Sequence, residues 1–292
     1  MEKKNIGYKI LHFPLTKILI GFIVCGIIAG VGQMLTSKLL EAASVEKDYG
    51  NLLAGIVMAS LAITTYILLF KVYEKRKISE FSLKSIVKYL LLGIALGAVL
   101  QSLTILVIYL NKGYSVVSVN PILYLLPPLT MAFTSAIFEE ILFRGVIFRI
   151  TEEKLGSYLA LLISALIFGA MHLLNPNSSL LAGAGIAIQA GLLLGIAYMY
   201  TRNLWFPIAI HFAWNFTQSA IFGANVSGNA ISKTLVTSKI EGAVWFTGGE
   251  FGPEGSVQAT IFCLTAAILL FVLTRKQGNI VKPYWCKSKS SQ

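Results

Sequence analysis

The chain has 292 residues, of which 56% are hydrophobic and 13% charged, against about 25% charged in an average soluble domain. So few charges could not cover the surface of a soluble globule of this length. A soluble enzyme, a disordered chain and a DNA-binding module are all poor fits, and an integral membrane protein remains. The formal net charge of +11 comes from 24 Lys+Arg against 13 Asp+Glu. In a membrane protein such an excess marks loops beside an anionic leaflet and calls for no nucleic-acid partner. Cys25, Cys263 and Cys286 form no CxxC spacing and support neither a disulfide framework nor a thiolate zinc site.

Crossing the hydrocarbon core takes about 20 apolar residues. Uncharged stretches run over 18–37, 49–70, 89–111 and 113–138. Three more run over 155–201, 203–232 and 255–274, and carry His172 and His211. The stretch from Leu155 is too long for one crossing and breaks at the turn-forming Asn175-Pro176-Asn177-Ser178-Ser179, giving helices at about 156–174 and 180–201. The expected fold is all-α, a polytopic bundle of about eight transmembrane helices. The first apolar run is longer than a signal-peptide core and lacks a clean cleavage site, so it reads as a retained helix.

With the N-terminal tail inside, the inner segments (the tail, 71–88, 139–154, 202–203 and 275–292) hold 19 of the 24 Lys+Arg. The asymmetry predicts both termini in the cytoplasm, with the plasma membrane as the expected location. Three domains follow: three N-terminal membrane helices over 1–119, a core over 120–275 and a basic tail over 276–292. The longest connector, 224–256, includes the glycine-rich Gly248–Ser256 stretch, read as a plain external loop or as a substrate-selecting lid.

Polar groups where lipid should forbid them point to function. Glu139 and Glu140 end a long apolar run and point about 100° apart on a helix, so they serve different partners. Glu140 and Arg144, four residues apart, are placed for an ion pair, which leaves Glu139 free. His172 ends the apolar helix that contains Phe168, and His211 shares a helical face with Asn215. In a dry cavity a glutamate can take a proton from water, a histidine can assist, and a His–Asn pair can donate to a developing oxyanion. The same Glu and His residues could instead bind a metal, although the HExxH zincin pair is absent.

Three motifs thus occur in order: EExxxR at Glu139-Glu140-…-Arg144, FxxxH at Phe168-…-His172, and HxxxN at His211-…-Asn215. Over about 120–275 the chain resembles the CPBP family (CAAX protease and bacteriocin-processing), which includes the type II CAAX prenyl endopeptidases. The Gly248–Ser256 loop is similar to a segment near the last helix of many bacterial members. The resemblance implies an intramembrane endopeptidase acting on CAAX-type proteins or on bacteriocin or pheromone precursors. Glu139 would activate water with His172, and His211 and Asn215 would hold the oxyanion. Glu140, Arg144 and Phe168 would support them. The resemblance leaves a metal-dependent and a glutamate-dependent mechanism both open: no cofactor is assigned, and a divalent metal such as zinc is a candidate, with Glu139, His172 and His211 as ligands. Membrane lipid and a protein or peptide substrate are the expected partners. A non-catalytic bacteriocin-immunity or binding protein on the same scaffold is the alternative, and a proton-coupled transporter is a third.

One expectation concerns depth. By helical rise, Glu139 and His211 lie about 10 Å, and His172 about 25 Å, from the inner ends of their expected helices. The fifth helix or the 175–179 turn should therefore sit at a non-standard depth.

Overall fold

Residues 6–286 are described by a computed structural model. Lys3 and Lys4 of the N-terminal tail, and the end of the expected basic tail with Lys287 and Lys289, lie outside the described residues. Helix follows apolar run almost throughout. A short α1 (Ile6–Leu11) precedes α2 (Pro14–Ala42), which Pro14 opens at a position where its missing N–H costs nothing. Next come α3 (Lys47–Tyr73), capped by the Glu46 carboxylate, and α4 (Ile86–Leu110). The core consists of α5 (Leu126–Glu140), α6 (Arg149–His172), α7 (Leu180–Ile186), α8 (Leu193–Thr201) and α9 (Trp205–Phe216). The short α10 (Val244–Thr247) and the long α11 (Val257–Lys276) complete the order.

Among the described residues, six helices are long and apolar enough to cross a membrane, where the sequence reading placed about eight. One of the six is a continuous helical path over Ile122–His172, 51 residues long, which holds two of the expected spans. The expected span over 203–232 contains only α9 and its continuation to Ile221. The chain is an integral membrane protein, predominantly helical. It is not purely all-α, however: β1 (Tyr114–Val119) pairs antiparallel with β2 (Val236–Ile240). The start of the expected 113–138 span is therefore a strand, as its β-branched YSVVSV sequence favours.

The expected inner connector 139–154 is also helical. It runs as a π-helical segment over Ile141–Phe148 into α6, and the reversal waits until Gly156. Gly156 has φ 77°, a left-handed geometry that glycine adopts without strain, and a Cβ there would sit 2.7 Å from the Pro283 backbone nitrogen. The two arms fold back on each other. Phe143 and Phe168, 13 residues before and 12 after the glycine, make an edge contact at 4.6 Å.

The second positioning device is close packing of α4 on α9. Without a hydrophobic drive between helices in lipid, small residues let backbones approach. A Cβ at Gly97 would lie 2.3 Å from the Ile210 carbonyl, and one at Gly93 would lie 2.6 Å from the Ala209 Cβ. A polar network fixes the start of α9. The Tyr66 hydroxyl donates to the Gly145 carbonyl at 3.0 Å, and the Leu204 amide donates to the Glu80 carbonyl at 2.8 Å. Around them Glu74 takes Lys17 and Arg149, and Glu80 takes Arg76. Lys17, Glu74, Arg76, Glu80 and Arg149, from the end of the chain's helices where the basic residues concentrate, thus form an internal ion-pair network.

Candidate active site

Helix geometry brings the motif residues to one level. From Glu139 to Gly156 is 17 residues, about 25 Å of rise, and from Gly156 back to His172 is 16 residues, about 24 Å. The 175–179 turn is mostly exposed rather than buried in protein. The depth difficulty disappears because Glu139 is far from the inner end of its own arm. On the neighbouring helix, His211 stands seven residues past Leu204, which contacts the level of Gly145, itself six residues past Glu139.

The two carboxylates diverge as their spacing requires. Glu140 is fully buried and accepts from Arg144 Nη1 at 2.6 Å. The other guanidinium nitrogen of Arg144 donates to the carbonyls of Ala190 (2.5 Å) and Gly191 (3.3 Å). Those carbonyls sit in a second π-helical segment, Ala187–Leu192. Local π geometry recurs at functional sites, and here three such segments flank the motifs, the third being Thr217–Ile221 directly after Asn215. His211 Nδ1 donates to the same Glu140 oxygen at 3.0 Å, since a carboxylate can only accept. This anchor for His211 was not expected from the sequence, because 71 residues separate the partners.

Glu139 faces the other way, into a cavity of about 640 Å³ also lined by Ser135, His172, His211 and Asn215. Its Oε2 is buried and has no hydrogen-bond partner among the described residues. His172 is oriented by its own motif. Its Nδ1 donates to the Phe168 carbonyl at 2.9 Å, leaving Nε2 with the lone pair, and its ring stacks on Phe168 at 4.6 Å. Phe168 also lies under the Arg144 guanidinium at 4.8 Å. Asn215 Nδ2 donates to Ser135 Oγ at 3.1 Å. Ser135 is one turn before Glu139, a spacing that could have drawn attention to it.

Sequence reasoning also passed over Glu254, in the glycine-rich loop. It is 2% exposed and lines a small inner cavity with His172, His211 and Asn215. It accepts from Trp214 Nε1 at 3.2 Å and from the Ser227 amide. Burial pushes its carboxyl above the ordinary glutamate range, while the Ser227 and Trp214 donors and nearby His172 pull it back in part. Asn175 Nδ2 donates to the Ser227 carbonyl at 3.0 Å, and the Gly228 amide to the Phe251 carbonyl at 2.8 Å. The 248–256 stretch is thus packed against the site rather than a plain external loop, and it contributes Glu254 to the lining of the small inner cavity. Glu254→Ala leaves two buried N–H groups without an acceptor, at about 1–3 kcal/mol each. The expected result is a lower unfolding temperature and proteolytic nicking of the loop; an unchanged melting curve would rule this role out.

Residues 121–217 match the family described as type II CAAX prenyl endopeptidase Rce1-like. Over this segment, about a third of its length, the chain is similar to the Rce1-like family. No curated protein and no solved structure matches the chain. The Rce1-like segment contains every motif residue from Glu139 to Asn215 and stops before Glu254. The matched family is, by its description, one of endopeptidases, which hydrolyse peptide bonds. Among the described residues no group of three His, Cys, Asp or Glu side chains is placed to hold an ion. The Nδ1 atoms of His172 and His211 are engaged, which leaves their Nε2 atoms, with Glu139, as the donors a metal would find.

Proposed function

We propose that the protein is an intramembrane endopeptidase of the CAAX type or a processor of bacteriocin or pheromone precursors, with Glu139 as the general base. The observation that supports this reading is the division of labour between adjacent carboxylates. Glu140 is held through Oε1 by both Arg144 and His211 and does not line the 640 Å³ cavity, whereas Glu139 lines it and makes no ion pair among the described residues. A water between Glu139 and His172 Nε2 loses a proton to Glu139 as its oxygen attacks the peptide carbonyl carbon. The carbonyl π electrons move to oxygen, and His211 Nε2–H and the Asn215 amide stabilise that oxyanion. Donation from Nε2 requires His211 as imidazolium, with the Glu140 carboxylate against its other nitrogen. On collapse, Glu139 returns its proton to the departing amine and the C–N bond breaks.

The charged inner ends, including 141–155, face the cytoplasm in this reading, and the plasma membrane is the proposed location. The test is reconstitution of the chain in proteoliposomes with membrane-anchored peptides, with and without a strong chelator. Cleavage at an internal bond, unaffected by the chelator, is the expected result. Chelator inactivation reversed by a divalent ion would replace the glutamate mechanism with a metal one. Protection of cells against a bacteriocin without any cleavage would favour the immunity function.

A further inference from the structure

We propose a binding site for an anionic phospholipid between the N-terminal elbow and the α6 hairpin, away from the candidate active site. A groove of about 800 Å³ lies there, within the volume range of small-molecule sites. Its floor is Leu15 and Ile18 of α2 with Ile147, Ile163 and Ile167 of the hairpin. Its rim carries Lys9 and Lys154, with His12 beside them.

Two observations select the occupant. First, the groove has the polarity of a lipid. Lys154 lies next to the Gly156 reversal, whereas Ile163 and Ile167 stand seven and eleven residues beyond it, about 10 and 16 Å further along the helix. Charge is at the end of the span and hydrocarbon contact is within it, as headgroup and acyl chain require. Second, the two lysines are unneutralised. Lys17, Arg76, Arg149 and Arg202 at this end each pair with a carboxylate, while Lys75 and Lys77, which do not line the groove, are exposed and unpaired among the described residues. Lys9 and Lys154 have no ion-pair partner among the described residues, and both are exposed. Basic pockets between membrane helices hold anionic headgroups.

The position links the groove to the protein's other large cavity. Leu15 and Ile18 line the groove, and Phe22, Ile23, Gly26 and Ile27, next along α2, wall the Glu139 cavity. Leu15, Ile18, Phe22 and Gly26 share one face of α2, so a bound lipid would brace that face about two turns before the cavity.

Thermal unfolding of the full chain in neutral detergent, titrated with phosphatidylglycerol or phosphatidylcholine, tests the site without reference to catalysis. Phosphatidylglycerol should raise the melting temperature saturably and phosphatidylcholine should not. Lys9→Gln with Lys154→Gln should weaken the phosphatidylglycerol effect about tenfold. The control pair Lys75→Gln with Lys77→Gln, also exposed lysines, should leave it unchanged. Native mass spectrometry provides a second readout: Ile163→Trp, which fills the groove, should lose one retained phosphatidylglycerol. Equal responses to the two lipids, equal loss in the control pair, an unchanged lipid count in Ile163→Trp, or the same stabilisation by inorganic phosphate alone would overturn the proposal. Occupation by a chain terminus or a second copy would show as one of those results.

Discussion

Glu139→Gln is expected to abolish peptide cleavage while the protein inserts, folds and binds substrate as before. Glutamine keeps the shape of the side chain and removes only its ability to take a proton. General-base removal costs about 10²–10⁴ in rate. The loss should be at the upper end here, because Glu140 is already committed to Arg144 and His211 and cannot substitute. The fall should appear equally in kcat and kcat/KM, since the proton transfer belongs to the transition state. Stability should be unaffected, as Glu139 makes no ion pair among the described residues. Steady-state cleavage of a membrane-anchored peptide, with a melting curve beside it, measures both. Undiminished cleavage would remove Glu139 from the mechanism, and cleavage lost together with folding would make it structural.

The second large effect is on stability. Arg144→Met leaves the Glu140 carboxylate buried with only His211 beside it and strips the Ala190 and Gly191 carbonyls of their donor. Breaking a buried pair from one side costs about 3–5 kcal/mol. The double variant Glu140→Gln/Arg144→Met removes both charges and should recover part of that loss. A melting temperature in detergent that falls steeply for the single variant and less for the double is the expected pattern. A single variant as stable as the parent would mean that the pair is not what holds α5 to the Ala187–Leu192 segment. Because His211 hangs on Glu140, both variants should also lose activity, and the recovery in stability should not restore it.

Local relationships at the site were legible in the sequence. The 100° divergence of Glu139 and Glu140 and the Glu140–Arg144 pair follow from helical spacing, and the structure has both. Relationships between distant segments were not. His211 on Glu140, Asn215 on Ser135 and Glu254 on Trp214 join residues 71, 80 and 40 positions apart. The boundaries failed for a different reason. A charge count treats Glu74, Arg76, Glu80 and Arg149 as solvated, but they satisfy one another inside the protein, so the helix continues through a segment read as a connector. The strand Tyr114–Val119 was lost because it carries no charge and merged with the apolar run behind it. Its alternating β-branched residues were the available signal.

The reversal at Gly156 makes the chain length between the first two motifs a measuring rod. Each residue removed from one arm would slide His172 about 1.5 Å and swing it about 100° around its axis relative to Glu139. A matched removal from both arms would shorten the rod yet restore the level, though not the facing. Insertions between Arg144 and Phe168 are therefore far more constrained than the plain composition of that stretch implies. Length variation among functional relatives should concentrate instead in the segment between His172 and His211, where exposed turns can absorb it.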